Sequence, residues 1–343
     1  MPPSVSLIVV NYRSASLAID AIRSARAATS VLLQVIAVDN TVDAGEAAAL
    51  RPHADIVLTP DRNLGYGAAI NRARAKSDGE ILIAANADVV FGPESIDRLA
   101  SADAEMAGPA LFWDRAFTWL LPPSDLHTSA EAIDAAIASR SKRWQRSRDR
   151  NRIKKRIEFW SLTKPVPVPA ISGCIMAIRR SAFDRLGGFD ERFHIYFEEI
   201  DFQRRLRRGV VYVPAARCRH IYNQSAGVSE SAAIEYGKAE MQYLTKWSGS
   251  LLARWIKSVE RPVETAVFEP MHGGIPIDRS GLIVEASPLR SFETAAGHVP
   301  TSPMVTIPDD VWRAYRGDVL YLRVVEAATG RVLRTYAKTR IGA

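Results

Sequence analysis

Four short apolar segments alternate with alanine-rich segments in the first ninety residues, and this alternation constrains the fold more than any other feature. Consecutive apolar positions are typical of strands that are buried on both faces. Strands and helices that alternate at this spacing predict an α/β fold, with a mostly parallel sheet and helices on both faces. The predicted strands are residues 5–10, 35–38, 56–58 and 81–84, and the predicted helices are 15–28, 45–50 and 65–76.

The rest of the chain divides into a loosely patterned insert at about residues 110–169, a second ordered stretch, and a turn-rich end. After Pro262 the alternating, turn-rich sequence predicts β-hairpins. We therefore predict an α/β domain over residues 1–261 and a small β module over residues 262–343. Within the ordered stretch we expect a strand at 171–178, a short helix at 181–186 with Ser181 as its N-cap, a helix at 195–208, a strand at 210–213 and a helical stretch at 230–255.

Composition excludes several classes of protein. The chain is 47% hydrophobic and 24% charged, which is too apolar for a disordered protein, and it lacks a run of 18 apolar residues that could span a membrane. Two cysteines, Cys174 and Cys218, are too few for a disulfide framework or a Cys-rich zinc site. Because the start also lacks the pattern of a signal peptide, we expect a cytoplasmic protein.

Polar residues follow each predicted strand, where parallel sheets bind their ligands. These positions hold Asn11 and Tyr12, Asp39 and Asn40, Asn63, and Asn86 and Asp88. A binding site and ordinary polar loops both fit this pattern. Gly65 and Gly67 would let backbone approach a phosphate closely, but Ile70 stands where a dinucleotide fingerprint needs a third glycine, which disfavours a hydride-transfer enzyme.

Carboxylates at two places suggest chemistry. Asp88 follows an apolar strand, where it could hold a divalent cation or cap a turn. Glu198, Glu199 and Asp201 cluster at a predicted helix start, where the helix dipole would stabilise them. Asp201 can pair with Arg204 or Arg205 one turn further on, whereas the two glutamates are placed as a general base would be.

Six motifs in order resemble family-2 glycosyltransferases of the GT-A fold, and most of all their bacterial rhamnosyltransferase-like branch. The resemblance covers about residues 4–225. The motifs lie at residues 6–12, 38–40, 62–65, 86–88, 187–190 and 197–201.

The resemblance implies an inverting transfer of sugar from a nucleotide-sugar, with dTDP-rhamnose expected first and UDP-sugars second, to a glycan or lipid-linked acceptor. It makes Glu199 the catalytic base, with Glu198 as the alternative, and it makes Asp88 and His220 ligands of Mg²⁺ or Mn²⁺. His220 could equally be structural, and Asn86 stands where the family's metal motif has its first aspartate, which leaves metal dependence open. A non-catalytic scaffold that binds sugar nucleotides is the alternative function. The donor site implied by the resemblance comprises Asn11, Tyr12, Asp39, Asn63, Gly65, Asn71, Asn86 and Gly173.

A basic cluster lies inside the insert. Residues 140–156 contain ten basic residues and one acid, a local charge of +9 in a chain of net charge +7, so the rest of the chain is slightly acidic. The cluster is compatible with a solvated helix, with a grip on acceptor phosphates, or with an anionic membrane at the inner face of the cell, where Trp113, Trp119 and Trp160 would be anchors. Nucleic acid is not expected, because no nucleic-acid motif accompanies the charges. The candidate contacts are Arg143, Trp144, Arg152, Lys154 and Lys155.

Overall fold

The structure, a computed structural model, describes residues 3–220, 230–259 and 267–340. Its contacts divide the chain into two compact units. The first comprises residues 1–111, 124–126 and 163–243, and the second comprises residues 112–123, 127–162 and 244–343. The predicted domain boundary at residues 261 and 262 lies outside the described residues. The unit that contains the C-terminal sheet also contains most of the insert.

The described residues form strands and helices in the following order. The strands are β1 (Val5–Asn11), β2 (Leu33–Asp39), β3 (Ile56–Leu58), β4 (Ile81–Asn86), β5 (Val89–Phe91), β6 (Met106–Phe112), β7 (Val166–Pro167), β8 (Ile175–Arg179), β9 (Val210–His220), β10 (Glu269–Pro270), β11 (Ile275–Pro276), β12 (Leu282–Ser287), β13 (Ala296–His298), β14 (Met304–Val305), β15 (Val319–Glu326) and β16 (Arg331–Thr339). The helices are α1 (Ala15–Ala27), α2 (Ala44–Leu50), α3 (Tyr66–Arg74), α4 (Ser95–Ala100), α5 (Ser129–Ala138), α6 (Lys142–Trp160), α7 (Arg180–Arg185), α8 (Glu198–Leu206), α9 (Glu230–Ser248), α10 (Ser250–Val259) and α11 (Asp309–Ala314).

The first unit is built on a nine-stranded mixed sheet. Its order is β3-β2-β1-β4-β8-β6-β9-β5, with β7 paired to β9. The strands β3, β2, β1 and β4 are parallel to one another. Antiparallel pairs are formed by β4 with β8, β6 with β8, β5 with β9 and β7 with β9. All seven residues of β1 are buried, as the continuous apolar run predicts. The α/β class is confirmed, and its parallel part is the stretch predicted from the first ninety residues.

Helix boundaries in the second half of this unit differ from the predictions. Arg179, not Ser181, is the N-cap of α7. The helix expected from residue 195 begins only at Glu198, because Tyr196 and Phe197 have left-handed φ angles of 70° and 67°. The predicted helical stretch at 230–255 is two helices, since Gly249 between α9 and α10 has a φ of 82°, a conformation that glycine adopts without steric cost.

The second unit contains a five-stranded sheet of order β10-β16-β15-β12-β13 and the small pair β11-β14. The expected hairpin is present, because β15 and β16 are antiparallel and joined by a short turn that ends at Gly330. Helix α5 was not predicted, although it has a complete capping box formed by Thr128 and Glu131. Helix α6 contains most of the basic cluster, for which a helix was one of the interpretations left open. Among the described residues, no helix is both long enough and apolar enough to cross a membrane.

A buried charge network joins α6 to this C-terminal sheet. Glu285 of β12 is fully buried, with Oε2 2.5 Å from Arg323 Nε and Oε1 2.8 Å from Arg156 Nη2. The contact between Arg156 Nη2 and Glu285 Oε1 is an ion pair whose geometry does not make a hydrogen bond. Arg156 Nη1 donates a hydrogen bond to the Phe292 carbonyl at 2.6 Å. Arg323 also lies 3.0 Å from Asp149 and 4.2 Å over the Phe292 ring. Burial lowers the pKa of Arg156 to about 10, in spite of Glu285 beside it. This network fixes the basic helix α6 onto the sheet.

Candidate active site

The first part of the site lies where β1 and β2 end side by side. Asn11 and Asp39 are register partners, and both are buried. The Asn11 amide donates to Asp39 Oδ1 at 3.0 Å and to Glu46 Oε2 at 2.9 Å. The other Asp39 oxygen, Oδ2, is buried and accepts no hydrogen bond from the described residues. Because an unpaired buried acceptor is costly, Oδ2 is suited to accept a hydrogen bond from a ligand hydroxyl or N–H.

The loop before α3 has a conformation that only glycine permits. Gly65 has a φ of 85°, and a Cβ there would lie 2.1 Å from the carbonyl oxygen of His194. Its carbonyl accepts a hydrogen bond from the Asn40 amide at 3.0 Å, and its N–H donates to Asn63 Oδ1 at 2.9 Å. The loop therefore lies against the segment that leads to Glu198, as close backbone approach requires.

Tyr12 and Asn71, both predicted to bind the nucleotide-sugar, have different surroundings. Tyr12 is 42% exposed after β1, and the Arg13 guanidinium lies 5.2 Å from its ring centre. Asn71, by contrast, donates to the Phe189 carbonyl and to Glu191, and it accepts from the Phe189 N–H, each at 2.9 Å. These bonds tie Asn71 to the turn at 187–191. Its side-chain amide is therefore engaged with that turn and is not free to bind a nucleotide-sugar.

Asp88 and His220 are brought together by strand register. His220 pairs with Val89, the residue after Asp88, because β5 and β9 are antiparallel. His220 Nε2 lies 3.4 Å from Asp88 Oδ1. Both Asp88 oxygens are buried and accept no hydrogen bond within the described part of the chain. Burial would lower the pKa of His220, but Cys174 and Asp88 beside it raise that pKa well above its usual value.

This pair fits a divalent cation as far as the protein's own ligands go. In the absence of a cation, His220, whose pKa is raised by Cys174 and Asp88, is the positive partner of the buried Asp88 carboxylate. A bound cation would replace the His220 proton in that role, because neutral imidazole and carboxylate are both ligands for Mn²⁺-type cations. Over residues 3–220, 230–259 and 267–340, no group of three or more His, Cys, Asp or Glu side chains is arranged to hold a metal. Any cation here would therefore need ligands beyond this pair.

Glu198 and Glu199 begin α8. Each has a buried Oε2 that accepts no hydrogen bond from any described residue. Burial, together with the charge of Glu199, raises the pKa of Glu198 well above its usual value. Burial also raises the pKa of Glu199, although the N–H groups of Glu199 and Ile200 oppose the rise. Asp201 differs, because it pairs with Arg205 at 2.9 Å, one of the two predicted partners.

Tyr66, which the sequence analysis did not select, lies among these groups. Its hydroxyl donates to the Gly173 carbonyl at 2.9 Å. Burial raises the pKa of Tyr66 well above its usual value, and Cys174, Glu198, Glu199 and Asp88 raise it further through their charges. The charges of the two candidate catalytic bases, Glu198 and Glu199, and of the candidate metal ligand Asp88 therefore all act on the Tyr66 hydroxyl. Asn86 adjoins the same place, because its N–H donates to the Cys174 carbonyl at 2.9 Å.

The basic helix α6 presents some of its charges outward and others inward. Arg143 and Lys154 are exposed, as are Arg146 and Arg150, which the sequence analysis passed over. These four residues follow a spacing of three, four and four, which forms one stripe along a helix. We call this set the basic stripe. Lys155 is also exposed, beside it.

Other predicted contacts of the insert face inward. Arg152 pairs with Glu293 at 3.5 Å, and burial lowers its pKa. Trp144 is 48% exposed, but its indole N–H donates to Asp134 at 2.7 Å. The prediction that Trp113 and Trp119 anchor the protein in a membrane is wrong, because both side chains are buried and the Trp119 ring is stacked on His298. Trp160 is partly buried and donates to the Leu121 carbonyl at 3.0 Å, so it too contributes to packing.

Solved structures with similar folds include two glycosyltransferases. The mannosyltransferase PcManGT from Pyrobaculum calidifontis, in complex with GDP-Man and Mn²⁺, is 15% identical, and the match covers 76% of this chain and 73% of that chain with a TM-score of 0.47. GalNAc-T7 with UDP, GalNAc and Mn²⁺ is 16% identical, and the match covers 76% of this chain and 55% of that chain with a TM-score of 0.49.

Sequence comparisons assign the family. The model described as glycosyltransferase like family 2 matches residues 2–235, and the chain therefore belongs to glycosyltransferase family 2. A Mycobacterium tuberculosis protein named N-acetylglucosaminyl-diphospho-decaprenol L-rhamnosyltransferase is 33% identical over 227 residues, covering 58% of this chain and 70% of that protein. The predicted family and the glycosyltransferase activity are confirmed.

Proposed function

We propose that this chain transfers a sugar, with inversion, from a nucleoside-diphosphate-sugar to a hydroxyl of a lipid-linked glycan acceptor. The donor we expect first is dTDP-rhamnose, with UDP-sugars second. The similarity to a relative named as an L-rhamnosyltransferase that acts on N-acetylglucosaminyl-diphospho-decaprenol supports rhamnose as the sugar and a lipid-linked acceptor. The observation that carries the proposal is the turn at Gly173 and Cys174, which packs against Glu199 and whose Cys174 carbonyl accepts a hydrogen bond at 2.9 Å from the N–H of Asn86, two residues before Asp88.

Each group has a chemical role in this reaction. Asn11 and Asp39, with Tyr12 and Asn63, would bind the nucleoside at the ends of β1 and β2. Asp88 and His220 would hold Mg²⁺ or Mn²⁺, which when bound neutralises the charge that develops on the leaving diphosphate.

Glu199 would act as the general base. Its carboxylate would take the proton from the acceptor hydroxyl while the hydroxyl oxygen bonds to the anomeric carbon and the bond to the diphosphate breaks. Attack from the face opposite the diphosphate inverts the anomeric configuration. The partial burial of Glu199 favours this role, because a base with a raised pKa is a stronger proton acceptor.

A donor panel tests the proposal. The full chain is incubated with dTDP-rhamnose, UDP-sugars or GDP-mannose and a short-chain prenyl-diphospho-N-acetylglucosamine, with Mn²⁺, with Mg²⁺ or with EDTA. We expect a rhamnosylated product with inverted configuration by mass spectrometry and NMR, and a lower rate in EDTA. Binding of a donor without any product would support a scaffold instead, and retained configuration would exclude the single displacement.

We also propose that the basic stripe contacts an anionic membrane surface, since a lipid-linked acceptor lies there. The stripe holds four exposed cations and faces solvent, while the inward arginines of α6 are paired with acids. A Lys or Arg near an anionic surface contributes about 1 kcal/mol. On α10 of the same unit, Leu251 and Trp255 are 80% and 48% exposed and lie one turn apart, a pattern suited to interfacial insertion.

Vesicle flotation separates this surface from general basicity. Changing the four residues of the basic stripe to Gln is expected to abolish most binding to vesicles rich in phosphatidylglycerol, and high salt is expected to do the same to the unchanged protein. The control removes four exposed charges of the first unit, Arg23, Arg51, Arg72 and Lys76, and should float as the unchanged protein does. Equal loss in both variants, or no flotation at low salt, would contradict the proposal.

A further inference from the structure

Tyr66 joins three segments of the first unit that are far apart in sequence, through its backbone N–H and its hydroxyl. Its own N–H donates to the His194 carbonyl at 3.1 Å, which ties the start of α3 to the segment before α8. Its hydroxyl donates to the Gly173 carbonyl at 2.9 Å, which ties the same residue to the turn before β8. Gly65 makes this approach possible, since any Cβ at that position would collide with His194.

Gly173 in turn lies directly against Glu199. A Cβ on Gly173 would be 2.7 Å from Glu199 Cγ and 3.1 Å from its Cδ, so backbone and side chain are already in van der Waals contact. The position of the Gly173 backbone therefore limits where the Glu199 carboxyl can lie. The carbonyl of that backbone accepts the hydrogen bond from the Tyr66 hydroxyl.

We propose that Tyr66 is a positioning residue, whose hydroxyl holds Gly173 so that Gly173 in turn holds the Glu199 carboxyl in line with the acceptor hydroxyl. The inference rests on the proposed function, because it takes Glu199 to be the base. It assigns Tyr66 no contact with donor or acceptor. The raised pKa of Tyr66 keeps the hydroxyl protonated at neutral pH, so it remains a hydrogen-bond donor.

Tyr66→Phe tests the inference, because it removes only the oxygen that contacts Gly173. A misplaced reacting group loses rate without losing binding, so we expect kcat to fall about 10-fold to 10²-fold while the donor KM and Kd change less than about threefold. Tyr315→Phe is the matched control. Tyr315 is a buried tyrosine of the second unit whose hydroxyl also donates to a backbone carbonyl, that of Val319, at 2.8 Å. It should lose similar thermal stability and keep its kcat.

A double-mutant cycle decides whether Tyr66 acts through Glu199. In a Glu199→Gln background, Tyr66→Phe is expected to cost less than about twofold more, because residues that act as a unit are not additive. A full second loss would overturn the inference, as would a fall in kcat matched by a rise in donor KM, which would make Tyr66 a donor contact. Unchanged kcat in Tyr66→Phe overturns it too.

The failures of the two proposals are distinguishable. If Glu199→Gln turns over normally, the base assignment fails and this inference fails with it. If Glu199→Gln is slow and Tyr66→Phe behaves as Tyr315→Phe does, only this inference fails. Should Tyr66→Phe not fold, Gly173→Ala acts on the same link, since its new Cβ displaces Glu199 directly. We then expect a loss of kcat, and an unchanged kcat would overturn the inference.

Discussion

Glu199→Gln is expected to lower the kcat of sugar transfer by about 10²–10⁴-fold, the usual contribution of a positioned general base. Glutamine has nearly the same shape, so the donor Kd should change by less than about threefold. The measurement is steady-state product formation beside donor titration by calorimetry. The loss should appear in kcat and in kcat/KM alike, because the base acts only in the transition state.

Glu198→Gln is the matched control at the neighbouring position. Glu198 is 4% exposed and its Cβ would lie 3.3 Å from a Cβ on Gly67, so it packs against α3 rather than against Gly173. We expect a much smaller loss of kcat there. If Glu198→Gln is the inactive variant and Glu199→Gln turns over, the two roles are reversed.

The pH profile gives a second check on the base. Because burial raises the pKa of Glu199, the ionised base is lost as pH falls through a value above the ordinary glutamate pKa of about 4.3. The acid limb of kcat/KM should therefore lie above that value and disappear in the residual rate of Glu199→Gln. An acid limb that persists unchanged in the variant would belong to another group.

Glu285→Ala is expected to lower the free energy of unfolding of the second unit by about 3–5 kcal/mol. The reason is that removal of one partner leaves two buried guanidinium groups, of Arg156 and Arg323, without their shared carboxylate. Chemical denaturation followed by tryptophan fluorescence measures the change, since Trp113 and Trp119 are buried in this unit.

Glu293→Ala provides the comparison. Glu293 also pairs with an arginine of α6, Arg152, but its side chain is 54% exposed, and exposed ion pairs contribute about 0–1 kcal/mol. Equal effects of the two variants would show that burial of the Glu285 network is energetically unimportant. A neutral Glu285→Ala would contradict the role given to the network in fixing α6.

The sequence was most informative where one physical rule decided the local structure. Continuous apolar runs predicted the parallel strands β1 to β4, because a strand buried on both faces has few alternatives. It was least informative for α6, because its nine basic residues left several interpretations open and gave no sign that the helix is held by inward pairs to Glu285 and Glu293. Such pairs depend on partners more than a hundred positions away, and no local pattern reports them.

The candidate site was also predicted only in part, because several of its contacts depend on tertiary structure. The family resemblance placed Asp88 and His220 at one metal site, whereas no local sequence pattern connects them, and it is the register of β5 with β9 that brings their side chains together. Tyr66 stands between Gly65 and Gly67 in the sequence, and that position gives no sign of a hydroxyl that reaches Gly173. Asn71 was selected because it follows these glycines, but tertiary contacts bind its amide to Phe189.

The two left-handed residues before α8 set a requirement on where this enzyme can be cut. Non-glycine residues in that conformation carry a penalty of roughly 1–2 kcal/mol each, and the rings of α9 lie against them, with Phe197 5.2 Å from Tyr236 and 5.1 Å from Tyr243. The family match stops at residue 235, just before the first of those rings. A fragment that ended at residue 235 would keep Glu198 and Glu199 but lose the aromatic contacts of Tyr236 and Tyr243 with Phe197, the residue before them. We therefore expect an active fragment to extend through Tyr243.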